Sequence, residues 1–231
     1  MRVVAVDGPA ASGKSSTAQA VARRLGWAHL DSGALYRAIT LAVLDNIGET
    51  GGGKGERWGS QQIIGLAEDL PVRLVLVGDV YRPEVAGVAV EEAIRSERVT
   101  RRVSEIAALP DVRRWVNARQ REAVRDHPVG VVVDGRDIGT VVFPEAPLKV
   151  FLTASAAERA RRRLAQRGAP VSPDDLEREV SALAARDEAD SRRPVAPLKP
   201  AADAVLLDTT SASLDEQVAR VVALARQRFP G

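Results

Sequence analysis

A short, mostly β-branched run at residues 2–6 opens the chain, Arg2 followed by the apolar Val3 to Val6, and is halted by Asp7-Gly8-Pro9. Over residues 15–25 apolar positions recur at helical spacing through Ala18, Val21, Ala22 and Leu25. This pattern predicts a strand, a glycine-rich loop and a helix in succession. Residues 28–30 suit a second short strand, and residues 33–46 a helix. Gly51-Gly52-Gly53-Lys54-Gly55 then breaks every pattern, as a hinge or surface turn does. Helical spacing returns over residues 61–70, and residues 72–77 and 85–90 read as strands separated by Gly78-Asp79 and Pro83. Two helices are expected at about 97–108 and 111–125, with Pro110 between them and Asp111 as a cap.

Residues 129–133, 148–152 and 204–207 are apolar runs, interrupted by charge only at Lys149, the pattern of parallel strands buried on both faces. Helix starts between them are marked by capping boxes at Ser155 with Glu158, Ser172 with Asp175, and Ser213 with Glu216. Alternating strands and helices predict an α/β fold with a mainly parallel sheet, interrupted by an antiparallel or mixed insert between about residues 47 and 109. The proline-rich stretch from Pro194 to Pro200 reads as a stiff connector back to the last core strand.

The 231 residues suffice for one large domain or one domain with an insertion. No apolar stretch approaches the roughly 20 residues that span a bilayer, and the opening run is too short for a secretion signal, so a cytoplasmic protein is expected. Cysteine is absent, which excludes disulfides and thiolate chemistry, and two histidines are too few for a histidine-rich metal cluster. Only four of the 33 cationic side chains are lysines, so the positive charge sits on planar guanidinium groups suited to phosphate and carboxylate. With 31 acidic residues and a net charge of +2, a broad nucleic-acid footprint is not expected, while small anions remain open as ligands.

Gly8-Pro9-Ala10-Ala11-Ser12-Gly13-Lys14-Ser15 fits G-x-x-x-x-G-K-[ST] without a gap, after a predicted strand and opening a predicted helix. In that setting backbone N–H groups turn around phosphate oxygens, Lys14 reaches the terminal phosphates, and Ser15 is placed to ligate Mg²⁺. The loop by itself does not select among kinases, GTPases and motor ATPases. Neither Asn46 nor Asn117, the two asparagines, is followed by lysine, so the N-K-x-D base reader of a GTPase is missing. Asp134 after the run 131–133 is followed by Gly135, not by the second acid that a motor ATPase uses to position water.

An acceptor other than water directs attention to four clusters. These are Asp31-Ser32-Gly33-Ala34-Leu35-Tyr36-Arg37; Ser104 with Arg113; Asp134-Gly135-Arg136-Asp137; and Arg186, Asp190, Arg192 and Arg193. Together with Arg193-Pro194-Val195-Ala196-Pro197-Leu198, and with the third cluster continuing through Ile138-Gly139-Thr140-Val141-Val142-Phe143-Pro144, they make the chain resemble the bacterial cytidylate kinases over nearly its whole length. An adenylate kinase would show D-G-F-P-R where this chain has Asp134-Gly135-Arg136-Asp137.

The resemblance implies a P-loop kinase with a five-stranded parallel core sheet, helices on both faces, a monophosphate-binding insert and a mobile lid. In this chain that places the core at 1–31 and 126–231, the lid at about 160–196, and the monophosphate-binding region at 32–125. It also implies ATP as phosphoryl donor, Mg²⁺, and CMP and dCMP as acceptors; apart from the resemblance, no long apolar seam argues for a dimer, so a monomer is expected. Residues 8–15 with Ser16 and Arg162 are then expected around ATP. Cytosine is expected near Ser104, Arg113 and Asp137, the acceptor phosphate near Arg37 and Arg136, and ribose near Arg186 and Asp190, with Ser32 on the same wall. Lys14, Arg136, Arg186 and Arg193 are the implied catalytic cations. Arg192 has no role that the resemblance supplies.

The chemistry stands beside that resemblance. A nucleoside monophosphate is already close to doubly ionised at neutral pH and needs no general base. It needs in-line positioning and cancellation of repulsion between two anions, which arginines and Mg²⁺ provide. A carboxylate accepting from the cytosine N4 amino group, with Arg113 or Ser104 donating to the acceptor edge, would separate cytosine from uracil. Other readings of the same residues are a small-molecule or nucleoside kinase, and a nucleotide-dependent switch that holds RNA or protein. Arg159, Arg161, Arg162, Arg163 and Arg167 also read as a wet helical face paired with Glu158, Ser104 as a surface hydroxyl, and Arg113 as a partner of Asp111. The tryptophans and tyrosines read as packing residues.

Overall fold

Every residue of β1 (Val3–Asp7) is buried on both faces of the strand, which is why its sequence is a continuous apolar run instead of an alternation. In chain order there follow α1 (Lys14–Leu25), β2 (Ala28–Asp31), α2 (Ser32–Asn46), α3 (Ser60–Asp69), β3 (Arg73–Val77), β4 (Val80–Val85), β5 (Val88–Ala89), α4 (Glu97–Ala107) and α5 (Pro110–Arg125). The remainder is β6 (Val131–Gly135), β7 (Leu148–Thr153), α6 (Ala156–Gln166), α7 (Pro173–Ser191), β8 (Val205–Asp208) and α8 (Leu214–Arg228), with a single π turn at Ile138–Val142. The structure is a computed structural model that describes residues 2–49, 58–125, 127–168 and 172–230, so the glycine run 51–55 lies outside the described residues. The chain divides into two compact units, Met1–His29 with Val129–Gly231, and Leu30–Pro128.

The first unit is built on parallel strands in the order β6-β1-β7-β8, with β2 beside β6. Val3 to Asp7 are in register with Val131 to Gly135, and Val4 to Asp7 with Leu148 to Phe151. One face of these strands presents Val4, Val6, Val132, Val150 and Leu152 to Ala18, Val21 and Ala22 of α1 and to Val218, Val221, Val222 and Ala225 of α8. Each such valine or leucine side chain contributes about 1.5–3 kcal/mol of burial. Trp27 closes that core edge-on against Phe229, with ring centroids 5.0 Å apart. The π turn lies against β1 and buries Ile138 and Val142.

Two strand expectations need correction here. β8 is an edge strand with Leu206 63% exposed, not a third fully buried run, because only β7 pairs with it. Val129 is also exposed, and β6 begins two residues later. Of the three capping boxes, that of Ser213 and Glu216 closes in both directions. Ser155 and Ser172 each accept one backbone N–H, from Glu158 and Asp175, and the Ser155 amide turns instead to Thr210 Oγ1.

In the second unit α2 is buried almost all round and forms the centre of a core with Ile63, Val72, Ile94, Val99, Val103, Ile106, Val112 and Val116. The antiparallel pair β3–β4 places Leu74 opposite Pro83, and β5 pairs with the end of β4. The strand expected at 85–90 is instead the last residue of β4, a turn at Ala86 and Gly87, both with positive φ, and the two residues of β5. With these three, the described residues hold eight strands, five of them in the core. Asp111 is not the cap of α5. The helix starts at Pro110, where the missing N–H costs nothing, and Asp111 in its first turn pairs with Arg114.

Candidate active site

The phosphate loop is shaped by backbone that ordinary residues adopt poorly. Gly8 has φ +153°, and a Cβ there would lie 2.3 Å from the Leu152 carbonyl oxygen of β7, so only glycine lets the loop leave β1. Ala11 and Gly13 have φ 58° and 89°, in the left-handed region, which helps turn successive N–H groups toward one anion. Gly13 caps α1 with no side-chain hydrogen bond, and the first turn of α1 holds no acidic residue among the described residues. The positive end of the helix is thus left for a ligand. Lys14 is buried, with Nζ donating to Pro9 O at 3.2 Å.

Beneath the loop lie two carboxylates at the carboxyl ends of neighbouring strands. Asp134 is buried and accepts from Ser15 Oγ through Oδ2, while its Oδ1 meets His29 Nε2 at 2.8 Å. Burial pushes its pKa up, but the His29 hydrogen bond and charge, with Lys14 and Ser15, outweigh that and hold the carboxyl below its ordinary range. Asp7 accepts backbone N–H groups from Ile138 at 2.8 Å and Gly139 at 2.7 Å. Burial nevertheless dominates and raises its pKa to about 6, helped by the charge of Asp137 and opposed by the two amides and Lys14.

The described residues contain no group of three or more acidic or histidine side chains able to hold a metal. The donor set present, one loop hydroxyl backed by an ionised carboxylate, fits Mg²⁺, which keeps waters and takes phosphate oxygens as further ligands.

The downstream arginines converge on Asp190 of α7, which is 2% exposed. Its Oδ2 accepts from Arg136 Nε at 3.0 Å and its Oδ1 from Arg193 Nη2. Because Asp7 is in register with Gly135, the phosphate loop and Arg136 leave adjacent strands at the same level. Arg186 lies one helical turn before Asp190 and is half-buried, and Asp137 is buried at the start of the π turn.

Arg162 stands apart from the others. It donates to the Ser12 carbonyl and to Thr209 Oγ1 and O, and pairs with Glu158, so it braces the loop through a carbonyl. The wet-face reading holds for Arg161, an exposed partner of Glu158, and fails for Arg159. Arg159 is 8% exposed and bonded to Ala10 O and Asp187, while Arg161 and Arg162 are the partners of Glu158.

In the second unit Ser32 is buried at the start of α2, whose cap is the Asp31 carboxylate accepting from Gly33 N at 2.9 Å. Its carbonyl accepts from Gln120 Nε2 at 2.9 Å. Arg37 donates to Ile94 O at 3.1 Å and Thr100 Oγ1 at 3.0 Å. Ser104 is half-buried on α4. Arg113 is a buried side chain, not a surface one. It is 3% exposed, donates to Ala107 O at 2.9 Å and lies 5.5 Å over the Tyr36 ring. With Asn117 and Gln120 it forms a buried polar stripe at helical spacing along α5. Tyr36, Trp27 and Trp58 are buried as packing residues, and Trp115 is partly buried with Nε1 donating to Glu68.

Sequence reasoning missed His29, Asp187 and Thr209 as parts of this site, and left Asp7 and Asp134 without roles. Two of these had a signal, since both acids end apolar strands at the carboxyl edge where α/β sheets bind ligands.

A phosphate loop on a parallel sheet, a hydroxyl–carboxylate pair fit for Mg²⁺ and arginines gathered on one buried acid define a P-loop phosphotransferase. The cytidylate kinase family model matches residues 4–227, and the chain belongs to that family. It is 44% identical over 225 residues to the cytidylate kinase of Pectobacterium carotovorum subsp. carotovorum strain PC1, covering 97% of this chain and 96% of that protein. It is 43% identical over 226 residues to that of Geobacillus sp. strain WCH70, covering 98% and 97%. Solved structures are more distant: shikimate kinase from Acinetobacter baumannii in complex with shikimate is 13% identical over 100% of this chain and 96% of that one, at a TM-score of 0.45. The family assignment therefore rests on the sequence relatives, and it makes the protein a nucleoside monophosphate kinase.

Proposed function

We propose that the chain transfers the γ-phosphoryl group of ATP to CMP and dCMP. The observation that carries this reading is the shared level of the phosphate loop and Arg136, which leave β1 and β6 side by side while Asp190 fixes Arg136 and Arg193 from behind. Such an arrangement suits two polyanions placed end to end. Loop amides and Lys14 bind the donor phosphates. Arg136, Arg186 and Arg193 neutralise charge on the transferring group, and Arg37 and Arg136 hold the acceptor phosphate.

No proton has to be abstracted, because the acceptor phosphate is already ionised. The work of these residues is alignment and charge cancellation in a loose transition state. Mg²⁺, held by Ser15 with Asp134 behind it, would neutralise charge on the β- and γ-phosphates. Asp137 accepts from the cytosine N4 amino group, while Arg113 and Ser104 donate to the acceptor edge. Residues 160–196 act as the lid.

The test is coupled ADP release with CMP, dCMP, UMP and AMP supplied separately. Stimulation by CMP and dCMP well above UMP and AMP is expected. A folded protein that binds ATP and responds to neither cytidine nucleotide would end this reading.

A further inference from the structure

Ala10 lies in the phosphate loop, and both of its backbone groups are held by one ion pair from far along the chain. Its N–H donates to Asp187 Oδ1 at 3.2 Å, and its carbonyl accepts from Arg159 Nη1 at 3.2 Å. Arg159 and Asp187 also pair directly, the first on α6 and the second on α7, with side chains only 10% and 18% exposed. Ala10 packs with Ala160 and Leu183 of the same two helices, and Ala11, Leu176 and Val180 add to that contact.

A buried ion pair is costly to desolvate unless further hydrogen bonds satisfy both partners. A pair whose purpose was to join α6 to α7 would find those partners on the helices. Here the carboxylate's second oxygen and the guanidinium turn to one loop residue, donor matched to acceptor at both its backbone groups. The next residue, Ala11, has φ 58°, a conformation that costs a non-glycine residue about 1–2 kcal/mol. A loop fixed immediately before that residue resists relaxing out of it.

We propose that Arg159 and Asp187 are positioning residues for the phosphate donor: by clamping Ala10 they hold Ala11 to Gly13 in the phosphate-binding conformation. The clamp rests on the reading that ATP binds this loop. It acts on the donor side only, and so predicts an asymmetric kinetic effect.

The experiment measures kcat and KM for ATP and for CMP, together with thermal unfolding, in the unsubstituted protein and in Asp187→Ala, Asp187→Asn and Arg159→Lys. Asp187→Ala is expected to lower kcat/KM for ATP by about ten- to a hundredfold, the equivalent of a charge-assisted hydrogen bond, with KM for CMP unchanged within about twofold. Asp187→Asn keeps an acceptor for the Ala10 amide and should recover most of the loss. A lower unfolding temperature with both KM values intact, or equal losses for ATP and CMP, overturns the clamp. Should Asp187→Ala fail to fold, Arg159→Lys carries the same test, since a lysine is a point donor in place of the planar fork, and no ATP-selective loss there overturns it equally. An unsubstituted protein that does not use ATP removes the donor reading and the clamp together. One that uses ATP while its variants show no split removes the clamp alone.

Discussion

Gly8→Ala should damage stability and ATP use together. The added Cβ would sit 2.3 Å from the Leu152 carbonyl oxygen, well inside the 3.0 Å below which real Cβ atoms are essentially never found. The obstacle is the backbone of β7, which is paired with β1 on one side and β8 on the other and has no flexible end to swing away. Relief requires the start of the loop to move by about 0.7 Å or more. Overpacking of this kind costs about 1–3 kcal/mol, and an unfavourable φ adds a similar amount, so a loss of roughly 3 kcal/mol is expected. A displacement near 1 Å at a phosphate-binding loop costs on the order of a hundredfold in rate.

Urea unfolding and kcat/KM for ATP measure the two effects. Gly65→Ala serves as control, because that glycine lies within α3 with nothing within 4 Å of an added Cβ. It should be stabilising by about 0.5–1 kcal/mol, the ordinary helical preference of alanine over glycine. Gly8→Ala with an unchanged unfolding midpoint and unchanged ATP kinetics would refute the close-approach argument.

Lys14→Ala should reduce turnover roughly a hundredfold or more while changing CMP affinity little, and equal turnover in single-turnover assays would contradict its role on the terminal phosphates. Asp137→Ala should weaken CMP more than ATP and blunt the preference over UMP; an unaltered CMP/UMP ratio of kcat/KM moves base recognition elsewhere. Asp7 gives a pH signature. Its folded pKa of about 6 exceeds the unfolded value of 3.8, so the stability it contributes is complete below about pH 4 and is lost as pH rises through 6, roughly 3 kcal/mol in all. Asp134, whose folded pKa is lowered, works in the opposite direction, and comparison with Asp7→Asn over a pH series of urea unfolding cancels it. A stability difference independent of pH would show that Asp7 ionises normally.

The elements that read clearly from sequence are those whose local pattern and tertiary burial agree. β1, α1 and β7 are continuous apolar or amphipathic runs bounded by glycine, serine or proline, and they start and stop within a residue or two of expectation. β4 did not read as a strand because Tyr81-Arg82-Pro83-Glu84 carries a proline and two charges, yet its pairing with β3 seats Pro83 opposite Leu74. β8 looked like β7 in composition; its place at the sheet edge is a matter of tertiary pairing, with β7 as its neighbour on one side, and no local pattern encodes that.

In the site, the phosphate loop was legible because its geometry is local. Arg159 was not. Within a run of arginines nothing nearby marks the one that faces inward, since its partners are Asp187, 28 residues on, and Ala10, 149 residues back. Asp190 stood out beside the arginines in the sequence, but its grip on two guanidinium groups did not.

The chain leaves its first unit after His29 and returns at Val129, and these points are neighbours: the Ala28 amide donates to the Gly130 carbonyl at 3.0 Å. Residues 30–128 thus leave and rejoin the first unit at adjacent points of the chain. A segment that departs and returns at adjacent points lies outside the pairing of β6, β1, β7 and β8, the arrangement in which a fold best tolerates an insertion.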